Sequence, residues 1–84
     1  MSTQSRAPRL VVYSRRGCHL CEVLIEELLP LVRGRGTVEV RDVDERADWQ
    51  QRYGSEVPVV ECEGRELCRH RLDRAAVRRL LDEA

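Results

Sequence analysis

The apolar residues of this chain fall into short groups whose spacing switches between strand and helix periods. Leu10-Val11-Val12-Tyr13 is a compact, partly β-branched run and predicts a buried strand. Ser14 to Gly17 breaks it as a loop. From His19 onward Leu20, Val23, Leu24, Leu28 and Leu31 recur near one face of a helix. Pro30 falls inside that pattern and predicts a kinked or shortened last turn, because proline lacks the backbone donor a helix interior uses. Gly34 and Gly36 close the segment. Thr37 to Arg41 alternates, with Val38 and Val40 on one side and Glu39 and Arg41 on the other, as a half-buried strand does. Asp44 is the expected N-cap of a short helix over 45–53. Trp49 and Tyr53, one turn apart, read as its packing residues and Gly54 as its end.

Val57 to Cys62 reads as a strand with a proline near its start. Glu63-Gly64 is a two-residue turn, and Arg65 to Arg69 the return strand of a hairpin. Asp73 is expected to cap a final helix whose apolar positions are Ala76, Val77, Leu80 and Leu81. Leu72, just before that cap, pairs with Val77 as a hydrophobic staple. The element order is therefore β-α-β-α-β-β-α. The first strand–helix–strand unit should be parallel and right-handed. The expected architecture is an α/β domain over 9–84, a four-stranded mixed sheet flanked by helices, preceded by a loose tail over residues 1–8.

With 84 residues the chain has length for one domain, and its 42% apolar and 36% charged residues fit neither a disordered nor a membrane protein. The longest apolar stretch, Val23 to Val32, is broken by Glu26 and Glu27, well short of the ~18 residues a membrane span needs. Met1 to Arg9 lacks the apolar core of a signal peptide, so a cytoplasmic location is expected. Fifteen basic residues balance fifteen acidic ones, which argues against a nucleic-acid partner. Every basic residue among them is arginine, so no lysine serves Schiff-base or phosphate-loop chemistry.

Cysteine changes the picture more. Cys18-His19-Leu20-Cys21 lies at a strand-to-helix junction, where two cysteines three apart fall within one turn. Cys18 would meet backbone N–H groups that have no intrahelical partner, and the helix dipole favours a thiolate there. Arg15 and Arg16 add positive charge just upstream. An ordinary thiol of pKa ~8.5 is only about 3% ionised at pH 7, and lowering the pKa to ~7 raises that to about half. Cys18 is thus the candidate nucleophile, and Cys21, a turn deeper, the resolving thiol. His19 reads either as a charge that helps the thiolate or as a solvated first-turn residue. Zinc usually takes four Cys or His ligands. Cys62 and Cys68 supply no second cluster: if 62 pairs with 65 and 59 with 68, they point to opposite faces of the hairpin. They read as small core or half-buried residues, and no metal site is expected. His70, with Arg69 and Arg71, forms a basic cluster, read as a solvated loop or a contact for an anionic substrate group.

These residues resemble the glutaredoxin-like branch of the thioredoxin-fold superfamily, in particular its short bacterial glutaredoxin-like proteins. The resemblance runs from about Leu10 to Leu81. It is carried by Tyr13-Ser14, Gly17-Cys18-His19-Leu20-Cys21, Tyr53-Gly54, Val57-Pro58-Val59, Gly64 and Asp73. It implies a thioredoxin-like fold, thiol–disulfide oxidoreductase activity, and a cis peptide bond before Pro58, which would lie against the cysteine pair. It implies that Val57 offers its backbone to a substrate cysteine, and that Arg16 and Asp73 flank the substrate. No bound cofactor is expected. The expected partners are a protein or small-molecule disulfide and a reductant, glutathione or a thioredoxin-type reductase, acting on a monomer. The chain departs from glutaredoxins in its inner His-Leu pair, in Arg15-Arg16 where a lysine is common, and in His70-Arg71-Leu72 where Gly-Gly lets glutathione approach. A tryptophan motif near the last helix, typical of the redoxins that serve ribonucleotide reductase, is absent. The alternatives are an iron–sulfur or zinc module on the same fold and a non-catalytic adaptor.

Overall fold

In the computed structural model, which describes residues 7–83, all four strands join one sheet in the order β2-β1-β3-β4. Strand β1 (Arg9–Ser14) leads through helix α1 (His19–Val32) to β2 (Thr37–Asp42), and the two strands pair in parallel. A 3₁₀ turn (Val43–Glu45) and helix α2 (Ala47–Tyr53) lead on to β3 (Val59–Cys62), β4 (Arg65–Arg69) and helix α3 (Arg74–Glu83). β3 runs antiparallel to both β1 and β4. The order is the β-α-β-α-β-β-α expected from the pattern. Residues 1–6 of the anticipated tail lie outside the described residues. Pro8 is buried, and its carbonyl accepts the Thr37 N–H at 2.9 Å.

Side chains alternate across a strand, so β1 feeds two cores. Leu10 and Val12, with Val60 and Cys62 of β3, face α1 and α3 and pack with Leu24, Leu28, Val32, Val77 and Leu81. Leu10, Leu24 and Leu28 are wholly buried, each stabilising the fold by about 1.5–3 kcal/mol. Tyr13 and Val59 face the other way, onto Val43 and Tyr53 beside α2. There the Tyr13 and Tyr53 rings stack at 3.9 Å, and Trp49 meets Tyr13 edge-on. The packing role expected of Trp49 and Tyr53 is what they perform.

Several local expectations give way to tertiary contacts. Helix α1 runs past Pro30 to Val32, with Pro30 on its exposed side. Val40 is half exposed, because β2 is an edge strand that the helices cover incompletely. Asp44 does not cap α2. Arg46 holds the cap position without a side-chain bond, and Asp42 caps the preceding 3₁₀ turn through the Asp44 N–H. The Asp44 carboxylate is engaged instead by Arg15 and Gln50. At α3 the expectation holds: Asp73 Oδ1 accepts the Ala76 N–H at 3.0 Å, and Leu72 and Val77 pack in the same core.

The hairpin register differs from expectation in a way that bears on the cysteines. Glu63 and Gly64 turn with positive φ at both, and Cys62 pairs with Arg65 as expected. Beyond Glu61↔Glu66, however, Val60 pairs with Cys68, so Leu67 is the extra residue of a β-bulge. The extra residue shifts Cys68 by one place. It therefore shares the face of Val60 and Cys62 and packs, with Leu67, against the α1–α3 core. The two cysteines lie on one face of the hairpin and not on opposite faces.

Candidate active site

The end of β1 delivers the cysteine motif to one edge of the molecule. After Ser14 the chain turns through Arg15–Cys18, closed by the Cys18 N–H bonding to the Arg15 carbonyl at 3.2 Å. Gly17 has φ +76°, a left-handed conformation that strains other residues. Cys18 then adopts extended backbone angles as the N-cap of α1. Its Sγ accepts the Cys21 N–H at 3.1 Å, as a serine or aspartate oxygen does at this position. Cys18 is half-buried, whereas Cys21 is 1% exposed and part of the protein interior. The two are joined by a disulfide, with Cα atoms 5.2 Å apart.

Of the two arginines upstream, Arg15 turns inward. Its guanidinium donates to both Asp44 carboxylate oxygens, at 3.1 and 3.2 Å, and to the Gly54 carbonyl at 3.0 Å. It thereby ties the cysteine loop to the 3₁₀ turn ahead of α2 and to the C-cap of α2, and holds the Asp44 carboxyl below the usual range. The sequence reading gave Arg15 no such role, and nothing local separates two adjacent arginines. Arg16 is exposed and makes no hydrogen bond or ion pair among the described residues. His19 is also exposed, 3.9 Å from the Glu22 carboxylate.

Register brings the remaining candidates to the same edge. Tyr13 pairs with Val59, so Val57 and Pro58 stand at the end of the sheet from which the cysteine loop departs. The Val57–Pro58 peptide is cis and Pro58 is buried. The Pro58 carbonyl accepts the His70 N–H at 2.7 Å, while the Val57 N–H and carbonyl make no hydrogen bond among the described residues. Val59 pairs with Arg69, so residues 70–73 return to this edge as well. There Asp73 serves as the α3 cap with one carboxylate oxygen. Between α1 and this segment lies a cavity of about 330 Å³, with Leu20, Val23 and Leu72 among its apolar walls and Arg71 and Arg74 at its rim. A larger cavity of about 500 Å³, over the face of the sheet bearing Val11 and Tyr13, includes neither Cys18 nor Cys21.

Cys62 and Cys68 are free thiols. Removal from water pushes both above the ordinary thiol range. Among the described residues no three His, Cys, Asp or Glu side chains gather in a group able to hold a metal. No helix among them is long and apolar enough to cross a membrane.

The sequence profile of the glutaredoxin-like domain (DUF836) matches residues 9–82. The chain belongs to the glutaredoxin-like domain family. Among solved structures it is similar to protein Ne2328 from Nitrosomonas europaea, determined by NMR. The two are 36% identical over 92% of this chain and 94% of that one, with a TM-score of 0.78. It is also similar to the X-ray structure of a structural-genomics target protein from X. campestris, at 33% identity over 89% and 97% of the chains and a TM-score of 0.67. The holo form of glutaredoxin C1 from Populus tremula x tremuloides shares the thioredoxin-like fold, at 22% identity, a TM-score of 0.50, and 88% and 74% coverage. No protein of curated function matches this chain. This glutaredoxin-like domain thus carries the fold expected for its family and a bridged C-x-x-C pair at the head of α1.

Proposed function

We propose that this glutaredoxin-like protein is a thiol–disulfide oxidoreductase, with Cys18 as nucleophile and Cys21 as resolving thiol. The asymmetry of the pair carries the reading: Cys18 is half-buried and its Sγ accepts a helix N-terminal N–H, while Cys21 is 1% exposed. In the reduced protein that donor and the helix dipole favour the Cys18 thiolate. The thiolate attacks one sulfur of a substrate disulfide. The substrate S–S bond breaks, a Cys18–substrate disulfide forms, and the other substrate sulfur leaves as a thiolate that takes a proton from solvent. Cys21 then loses its proton and attacks Cys18 Sγ, expelling the second substrate thiolate and leaving the Cys18–Cys21 disulfide. Two electrons have passed to the substrate. A thiol reductant, glutathione or a thioredoxin-type reductase, returns the pair to the dithiol.

The substrate is a protein or small-molecule disulfide. The Val57 peptide, beside Pro58 and unpaired among the described residues, offers one donor and one acceptor to the chain around the substrate cysteine. Arg16, two residues before Cys18, is exposed and makes no ion pair among the described residues, and Asp73 uses Oδ1 for its cap, which leaves Oδ2 for a substrate N–H among the described residues. The protein acts as a cytoplasmic monomer. Reduction of a peptide disulfide under glutathione tests the reading. Cys18→Ser should lose all turnover, and Cys21→Ser should accumulate a mixed disulfide through Cys18, seen by mass. Normal turnover in Cys18→Ser would sink the mechanism.

A further inference from the structure

We infer that His70 is a positioning residue for the docking segment: its ring holds Glu56, its backbone holds Pro58, and the Val57 peptide is fixed between them. The role in turnover rests on the exchange reaction proposed above; the brace itself rests on geometry. β4 ends at Arg69, and His70 takes φ +68°, a left-handed conformation that histidine adopts more readily than most side chains. That turn sends the His70 N–H onto the Pro58 carbonyl at 2.7 Å and its Nε2 to the Glu56 Oε1 at 2.8 Å. The Glu56 carboxyl is held below the usual range, first by His70 and then by Arg69. An ionised carboxylate only accepts, so Nε2 carries the proton and donates.

The neighbouring arginine does not replace this link. Arg69 directs two donors at Glu66, at 2.6 and 2.7 Å, and reaches Glu56 only at 3.4 Å. Glu56 is fixed on its other side too, its N–H bonding to the Tyr53 carbonyl at 2.8 Å. Val57 is therefore flanked by two anchored residues while its own N–H and carbonyl stay unpaired among the described residues. A backbone edge held in this way loses little freedom when a substrate strand pairs with it.

His70→Gly isolates the ring, because glycine keeps the left-handed turn and the N–H to Pro58. In that variant KM for a peptide disulfide should rise about fivefold, the scale of ordering one short segment on binding. The kcat and the pKa of the Cys18 thiol, followed by thiolate absorbance, should stay unchanged. His70→Gln, whose amide also donates to Glu56, should restore KM. Glu56→Ala should reproduce the rise, and the double variant should add nothing to it. The ¹⁵N order parameter of Val57 should fall in His70→Gly and recover in His70→Gln. An unchanged KM, an unchanged Val57 order parameter, or a thiol pKa that moves together with KM overturns the inference. If the wild type reduces no disulfide, the oxidoreductase reading fails, and the order parameter alone then decides the brace.

Discussion

Cys18 and Cys62 share one small domain, one ahead of a helix and the other on a central strand, and their surroundings treat sulfur in opposite ways. Cys18 is half-buried and takes a helix N–H on its sulfur. Cys62 is 6% exposed in the α1–α3 core, with Cys68 packed against the same core, and burial pushes both thiols up. The side chain is the same in each place. Backbone donors at a helix start favour its thiolate, and an apolar sheet face treats it as a small hydrophobe. On the function proposed above, what separates the reacting cysteine from the packing one is the supply of N–H groups and water, set by the element that carries it.

The largest test is to remove each pair in turn. Cys18→Ser should abolish disulfide exchange, whereas Cys62→Ala with Cys68→Ala should keep it within about twofold, since neither thiol takes part in the proposed exchange steps. Turnover assays on the two proteins decide it, and loss of exchange in the second would place a needed thiol in the hairpin. A finer test uses alkylation of the reduced protein at pH 7, with labels located by mass. The helix N–H on Cys18 favours its thiolate, while burial holds Cys62 and Cys68 protonated, so Cys18 should take the label ahead of either. Equal rates would remove the distinction.

The first of these surroundings was legible in the sequence and the second was not. The C-x-x-C at a strand-to-helix junction, the Gly17 turn and the Asp73 cap are local patterns, decided within a few residues. The face of Cys68 depended on one extra residue, Leu67, across a hairpin whose turn was read correctly. A single bulge reverses everything beyond it, because the side-chain period of a strand is two. Arg15 and Arg16 are alike in sequence. Only the folded positions of Asp44 and Gly54, some thirty to forty residues on, select Arg15 as the loop's tether. The same contact drew Asp44 away from the cap its local pattern suggested. The link from His70 to Glu56 likewise spans fourteen residues that carry no shared local signal.

If Cys62 acts as a hydrophobe, its removal should register as lost packing. Cys62→Ala should destabilise the protein by about 0.5–1.5 kcal/mol, the range for deleting one or two buried heavy atoms. In a domain of this size each kcal/mol lowers Tm by about 4–8 °C. Calorimetry of the oxidised protein, with the Cys18–Cys21 disulfide intact in both samples, isolates the effect. A Tm equal to wild type would mean that the sulfur fills no space the core needs.

The smallest expected effect is in the pH dependence, and it separates the two hairpin thiols from the rest of the protein. Their folded-state pKa values lie above those of the unfolded chain. Such groups contribute stability that is fully present below the unfolded value, about 8.5, and is lost as pH rises from there through the folded value. Above pH 8.5 the unfolded chain gains by ionising thiols that the fold keeps protonated. Tyr53 adds a second loss of the same sign from about pH 10, because burial and its bond to the Glu61 carboxylate raise its phenol pKa. In the oxidised protein Cys18 and Cys21 are bridged and do not titrate. Urea midpoints between pH 7 and 11 should therefore decline in two stages. Cys62→Ala with Cys68→Ala should erase the first stage and keep the second, and a first stage that survives the double substitution would show that the hairpin thiols are not what the fold holds protonated.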